Sequence, residues 1–250
     1  MQYFVKILNE SFLFMISKER ISRALKGFHF YSGIHIENLS ESEQKFFREN
    51  TKKIELEKKK VLFRQKSFAN GVYILTQGKL KVYQLNYDGS IQILFIYAAG
   101  EIFGYHPILS NEYQPVSVAA IEDCELLFIE RMRFLELLEN SPTLTKQLLI
   151  SLSHEFTVLT NRINVFAQRG IKERLALALL ILNEKFKPVN KDGASEINLS
   201  RTDLANFVGT SLENLVRTLR FFREKKLIRT KGKSIFIEHF ENLFILSAIE

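Results

Sequence analysis

Glu213 and Arg217 stand four positions apart, which is one turn of a helix. A carboxylate at such a place can accept from N4 of cytosine. A guanidinium fork can grip O6 and N7 of guanine, so the pair can read a short base sequence in a major groove. The same spacing also makes an ordinary surface ion pair, and the surroundings weigh between the two. Arg201, Ser211, Arg220, Lys231 and Lys233 lie nearby with groups able to hold phosphates. From Arg201 to Lys233, nine basic residues face three acidic ones, a net +6 that nearly accounts for the +7 of the whole chain.

Two helices and a hairpin are needed to hold those side chains. Two helical patterns meet at Gly209-Thr210-Ser211. Ser200 with Asp203 can cap the first, and Ser211 the second. Ala205 offers a small residue at a helix crossing, Gly209 a turn, and Leu215 an apolar lock. Leu204, Val208, Leu219 and Phe222 complete a shared core. That spacing turns Leu212, Glu213, Val216, Arg217 and Arg220 outward. Lys231-Gly232-Lys233, between two β-prone runs, predicts a wing reaching a DNA backbone. The expected partner is double-stranded DNA. Glu213, Arg217, Val216 and Leu212 would face bases, and Arg201, Ser211, Arg220, Lys231 and Lys233 would face phosphates.

Further upstream, residues 1–50 look mainly helical, with Ser40 and Glu43 spaced as a capping box. From Val61 to Ile129 short β-prone runs alternate with turn residues, which predicts a small antiparallel barrel or sandwich. Asp88-Gly89 predicts a tight hairpin turn with positive φ angles. A short helix spans Arg131 to Leu138, and Pro142 opens a long one. Along it Leu144, Leu148, Leu152, Phe156, Leu159, Ile163 and Phe166 form one apolar stripe, read as a coiled-coil seam between two copies. Gly170 marks a hinge, an amphipathic helix follows it, and residues 188–195 form a polar loop.

With 46% apolar residues among 250, the chain can bury one large or two smaller cores. Cys124 is the single cysteine, so no disulfide framework, tetracysteine zinc site or four-thiolate cluster can form within one chain. A reducing cytoplasm fits. The N-terminal stretch from Tyr3 to Ile16 is broken by Lys6, Asn9, Glu10 and Ser11, and reads as neither a membrane span nor a signal peptide. Met15, before the polar SKERIS run, is an alternative translation start to Met1. HExxH, Walker A, GxGxxG and GxSxG motifs are missing, so no enzyme, no catalytic residue and no metal site are expected.

Val72 to Val82 (VYILTQGKLKV), Asp88-Gly89, Gly100-Glu101-Ile102-Phe103-Gly104, Asn140-Ser141-Pro142 and Gly209 to Glu213 with Arg217 occur in an order that resembles the Crp/Fnr family of bacterial regulators over residues 38–237. The resemblance implies an α+β fold: an N-terminal β jelly-roll like cyclic-nucleotide-binding domains, a long dimerisation helix and a C-terminal winged helix-turn-helix. The divisions it implies are an N-terminal extension (1–37), a jelly-roll sensor domain (38–140), a dimerisation helix (141–169) and a DNA-binding domain (170–250). It further implies a homodimer on a palindromic operator, with RNA polymerase as partner if the protein activates. Leu212 departs from the cyclic-AMP branch, which has arginine there, and looks more like the oxygen- and nitric-oxide-responsive branches, implying TTG- or TGA-like half-sites.

The implied effector pocket comprises Gly104, Tyr105, His106, Val116, Leu159 and Thr160. Cyclic-nucleotide binders carry an acidic residue and later an Arg-Ser pair where this sequence has Tyr105 and Pro115-Val116, and a threonine where it has Leu159. Without the carboxylate and the guanidinium fork, the usual cyclic-AMP mode loses its strongest contacts. The iron–sulfur branch needs four cysteines, so no iron–sulfur cluster is expected. Haem-dependent members make His106 the histidine to inspect, and His154, on the dimer helix, reads as interfacial packing or surface. The effector stays open. Two alternatives to the main reading are a haem-dependent member of the same family and an effector-binding signalling module without operator recognition.

Overall fold

The computed structural model describes residues 18–32, 34–187 and 195–249; Met1, Met15 and all but the last residue of the loop 188–195 lie outside the described residues. Two compact units emerge, residues 30–156 and the described part of residues 1–29 together with 157–250. Helix α1 (Lys18–Lys26) belongs to the latter. No helix among the described residues is long and apolar enough to cross a membrane.

In the unit of residues 30–156, helix α2 (Glu41–Glu49) starts with the expected capping box: Ser40 accepts from the Glu43 amide, and the Glu43 carboxylate accepts from the Ser40 amide at 2.6 Å. Eight strands follow: β1 (Thr51–Leu56), β2 (Val61–Phe63), β3 (Gly71–Gln77), β4 (Lys79–Leu85), β5 (Ile91–Ala98), β6 (Ile102–Phe103), β7 (Ser117–Ala120) and β8 (Cys124–Glu130). They pair antiparallel in two four-stranded sheets, ordered β1-β8-β3-β6 and β2-β7-β4-β5. Helix α3 (His106–Ser110) lies between β6 and β7. Aromatic rings pack in series, Phe63 on Tyr73 (5.7 Å between centroids), Tyr73 on Phe103 (5.5 Å) and Tyr97 on Phe103 (4.9 Å). Such offset pairs are favourable beyond the area they bury.

The β4–β5 turn differs from expectation. Only Gly89, at φ +81°, has a positive φ, and Asp88 does not. The Asn86 amide bonds to the Ser90 carbonyl across three residues, and Asp88 Oδ1 accepts from the Ser90 amide at 2.9 Å. A three-residue loop needs left-handed geometry at its last residue alone, which glycine meets.

Helices α4 (Arg131–Asn140) and α5 (Pro142–Gln168) continue the chain. Buried Ser141 caps α5, its Oγ accepting from the Leu144 amide at 3.1 Å. The apolar stripe of α5 divides in two. Leu144 and Leu148 are buried in a core that includes Phe47, Val72, Ile129 and Phe134, with Leu152 partly covered. Phe156, Ile163, Leu159 and Phe166 are exposed, the first two at 72% and 69%. The first turns of the stripe thus satisfy their own chain, and the coiled-coil expectation applies to the rest.

In the other unit, the central helix α6 (Ile171–Phe186) begins after a break at Gly170, whose amide donates to the Glu173 carboxylate. The expectation of an amphipathic helix is corrected: residues 175–183 are buried without a gap. The reason is enclosure by strand β9 (Ile197–Asn198) and helices α7 (Arg201–Val208), α8 (Leu212–Glu224) and α9 (Phe240–Ser247). Strands β10 (Ile228–Lys231) and β11 (Ser234–Ile237) form a hairpin with β9 on the far side of β11. Sequence reading did not anticipate α9, which buries Leu243 and Phe244.

Candidate nucleic-acid interface

The helix-turn-helix is built as its residue types dictate. Ser200 caps α7, accepting from the Asp203 amide at 3.0 Å. At the end of α7, Gly209 adopts the left-handed φ of +70° that side chains disfavour, and its amide bonds to the Ala205 carbonyl at 2.9 Å. From α6, Arg174 Nη1 donates to the Gly209 carbonyl at 3.1 Å, pinning the turn. Ser211 opens α8 by accepting from the Asn214 amide at 3.2 Å. That bond uses an acceptor lone pair, so the hydroxyl hydrogen stays available.

Leu215, Leu219 and Phe222 are buried against Leu204, Ala205 and Val208 in the shared core. Thr218 also faces inward, and its hydroxyl donates to the Asn214 carbonyl at 2.8 Å. Leu212 (48% exposed), Glu213, Val216 (51%), Arg217 and Arg220 form the outer face. The ordinary Glu213–Arg217 ion pair is not made. Instead Arg217 Nη2 donates to Asn214 Oδ1 at 2.6 Å, and Arg220 Nε donates to Glu224 at 2.9 Å. Asn214 escaped the sequence reading, because three-residue spacing on a helix is too common to single out one polar side chain.

The wing is the β10–β11 hairpin, closed at Lys231 opposite Ser234. Lys231 and Lys233 are exposed at its tip. Arg201 is engaged elsewhere than expected: Nη1 donates to the Lys233 carbonyl at 2.9 Å and Nη2 to the Gly232 carbonyl at 3.4 Å. Burial first, and the charge of Arg223 second, lower its pKa.

Gly104, His106 and Val116 line a cavity of only about 30 Å³ with Phe63, Tyr97 and Gln114. Tyr105 is fully buried, its hydroxyl 3.4 Å from Ser151 Oγ, and burial pushes its pKa far up. His106 Nε2 donates to Glu155 Oε2 at 2.6 Å, and its ring stacks on Tyr105. Leu159 and Thr160 belong to the other compact unit and are exposed. His154 stacks on Phe30 of its own chain. Cys124 is buried, and burial raises its pKa.

Residues 53–141 match the cyclic nucleotide-binding domain family and residues 173–244 the Crp-like helix-turn-helix domain family. The transcriptional activator protein Anr of Pseudomonas protegens is 28% identical over 73% of this chain and 75% of its own length. The cyclic AMP receptor protein of Thermus thermophilus is 25% identical over 68% of this chain and 76% of its own. The structure of FixK2 from Bradyrhizobium japonicum superposes with a TM-score of 0.72 at 20% identity, over 79% of this chain and 98% of that one. Such regulators are transcription factors rather than enzymes. A jelly roll, a long helix and a winged helix-turn-helix in this order, with the two domain matches falling on the first and the last, make the chain a member of the Crp/Fnr family of transcription regulators.

Proposed function

We propose that the protein binds a palindromic operator as a homodimer, with Glu213 and Arg217 reading base edges, Val216 and Leu212 making apolar contacts, and Ser211, Arg220, Lys231 and Lys233 holding phosphates. The observation that carries this reading is the exposed face of α8, where Arg217 is held by Asn214 and so is not spent on Glu213. The helix N-terminus at Ser211 adds a partial positive charge suited to phosphate. Arg201 keeps other guanidinium hydrogens for a phosphate while it braces the wing. Two recognition helices on a dimer would enter successive major grooves about 34–36 Å apart. A signal that shifts the long helix and the break at Gly170 would align them. We retain the divisions 1–37, 38–140, 141–169 and 170–250 as the working domain map.

The small cavity beside Gly104 supports an effector other than cyclic AMP in its usual mode. Room of about 30 Å³ suits one or two waters, each needing ~10–15 Å³, and neither a carboxylate nor an arginine lines it. The surroundings of His106 do not fit haem either, since Nε2 is bonded to Glu155 and the ring is stacked on Tyr105. A relative named as a transcriptional activator supports RNA polymerase as a partner, and a DNA-reading role supports the cytoplasm as its location.

Selection from a random duplex pool tests the proposal. The expected outcome is an enriched palindrome whose sequence changes in Glu213→Ala and Arg217→Ala. Enrichment of no palindrome, or an identical motif in both variants, overturns it.

A further inference from the structure

Helix α5 carries a second surface on the side away from its exposed apolar positions. If Phe156 and Ile163 occupy the first place of successive heptads, Asn161, Asn164 and Val165 fall on the outer places, clear of a dimer seam. Helix α1 packs on this outer side. Ile21 and Leu25 are buried, and the Gly27 carbonyl accepts from Asn161 Nδ2 at 2.8 Å. A Cβ on Gly27 would stand 3.0 Å from that nitrogen, so the bare glycine permits the approach.

Between α1, this outer face and the end of α9 lies a cleft of about 680 Å³. Arg20, Arg23 and Arg169 line it together with the carboxamides of Asn161 and Asn164, while Phe28 and Ile249 add apolar wall. No carboxylate side chain lines it among the described residues. The guanidinium groups of Arg23 and Arg169 share this concavity, repel one another and attract anions. The arginine fork matches phosphate oxygens two at a time. The volume lies within the ~300–1,000 Å³ of small-molecule sites and far exceeds one phosphate. All of the lining residues fall outside both family-matched stretches, 53–141 and 173–244.

We propose that this cleft binds a phosphorylated small molecule of nucleotide size, its phosphates on Arg23 and Arg169 and its apolar part against Phe28 and Ile249. It supplies the anion-binding chemistry that the cavity beside Gly104 lacks.

Calorimetry on the full chain without DNA tests this independently of operator recognition. The probes are ATP, GTP and inorganic pyrophosphate, with adenosine as the uncharged control, and a random-sequence duplex is titrated separately. A nucleoside triphosphate should bind and adenosine should not. The double variant Arg23→Gln/Arg169→Gln should weaken that binding at least about tenfold, as expected for lost charge-assisted bonds, with an unchanged melting profile. Gly27→Val, which crowds the Asn161 carboxamide in the cleft without removing an arginine, should weaken it too. The proposal is overturned if none of the three phosphate probes binds, or if they bind both variants as they bind the parent chain. It is equally overturned if the double variant loses only duplex affinity, which would make the cleft a DNA-backbone contact.

Discussion

Arg201, the first residue of α7, donates to the backbone carbonyl of Lys233 at 2.9 Å, thirty-two positions along the chain. Together with its second bond to Gly232, this ties the tip of the wing to the helix-turn-helix. A basic residue at the interface is therefore a brace as well as a charge. Arg201→Gln should lower affinity for all duplexes alike and speed amide exchange in β10 and β11. Lys231→Gln or Lys233→Gln should each flatten the log–log salt slope by ~1 without changing exchange. Arg201→Lys should not restore the wing, because an ammonium lacks the planar fork that spans two carbonyls. If Arg201→Gln leaves exchange unchanged and only flattens the slope, the brace is not its role.

Asn214 and Arg217 yield a second expectation. The 2.6 Å bond between them holds the guanidinium before DNA arrives, and preorganisation lowers the cost of ordering it on binding. Arg217→Ala should lose ~1–3 kcal/mol of discrimination at its base pair. Asn214→Ala should lose less, at the same base pair, and should add nothing in the double variant. Additive losses measured by competition binding would show that Asn214 acts on its own.

The helix-turn-helix was legible because its cues are local. Period, caps and the Gly209 turn fall within one short stretch, and burial of Leu215, Leu219 and Phe222 follows from them. The tasks of Arg201 and Asn214 were not, since they depend on a distant carbonyl and on one choice among equivalent spacings. Helix α5 shows the limit of periodicity most clearly. Leu144 and Ile163 sit on one stripe by sequence, yet the first is buried in its own chain and the second is open to solvent. Period reports that a face is apolar and says nothing of what covers it. The cleft at Arg20 and Arg169 left no trace either, because its residues come from three remote segments.

Alkaline titration should separate the buried tyrosines from the rest. Burial raises the pKa of Tyr97 and Tyr105 well above the usual phenol value, and the Glu155 charge adds to both. In the unfolded chain they release their protons near pH 10. The folded form therefore holds protons that the unfolded form has lost, and stability falls as the pH rises beyond about 10. Of the eight tyrosines, these two should ionise last, together with unfolding, in absorbance at 295 nm. Tyr105→Phe should reduce the loss of stability above pH 10. A variant with an unchanged alkaline profile would mean that the buried phenol does not govern it.

The exposed half of the α5 stripe carries the dimer expectation. Phe156, Leu159, Ile163 and Phe166 recur at steps of three and four; Phe156 and Ile163 stand open to solvent in a single chain, while Leu159 and Phe166 are each 36% exposed. Burying Phe156 or Ile163 against a second copy is worth up to ~1.5–3 kcal/mol, whereas a carboxylate in the same place must be desolvated without a partner. Ile163→Glu should therefore give a monomer by sedimentation equilibrium at concentrations where the parent chain is dimeric. Its operator affinity should collapse, while its single-chain fold persists because Ile163 supports no buried core. Gln168→Glu, at an outer heptad place, should leave the dimer intact. Leu148→Glu should act differently, lowering the melting temperature, because Leu148 is 2% exposed inside its own core. A dimer retained in Ile163→Glu would move the interface off this face. Unfolding of that variant, rather than dissociation, would show that Ile163 is covered within its own chain.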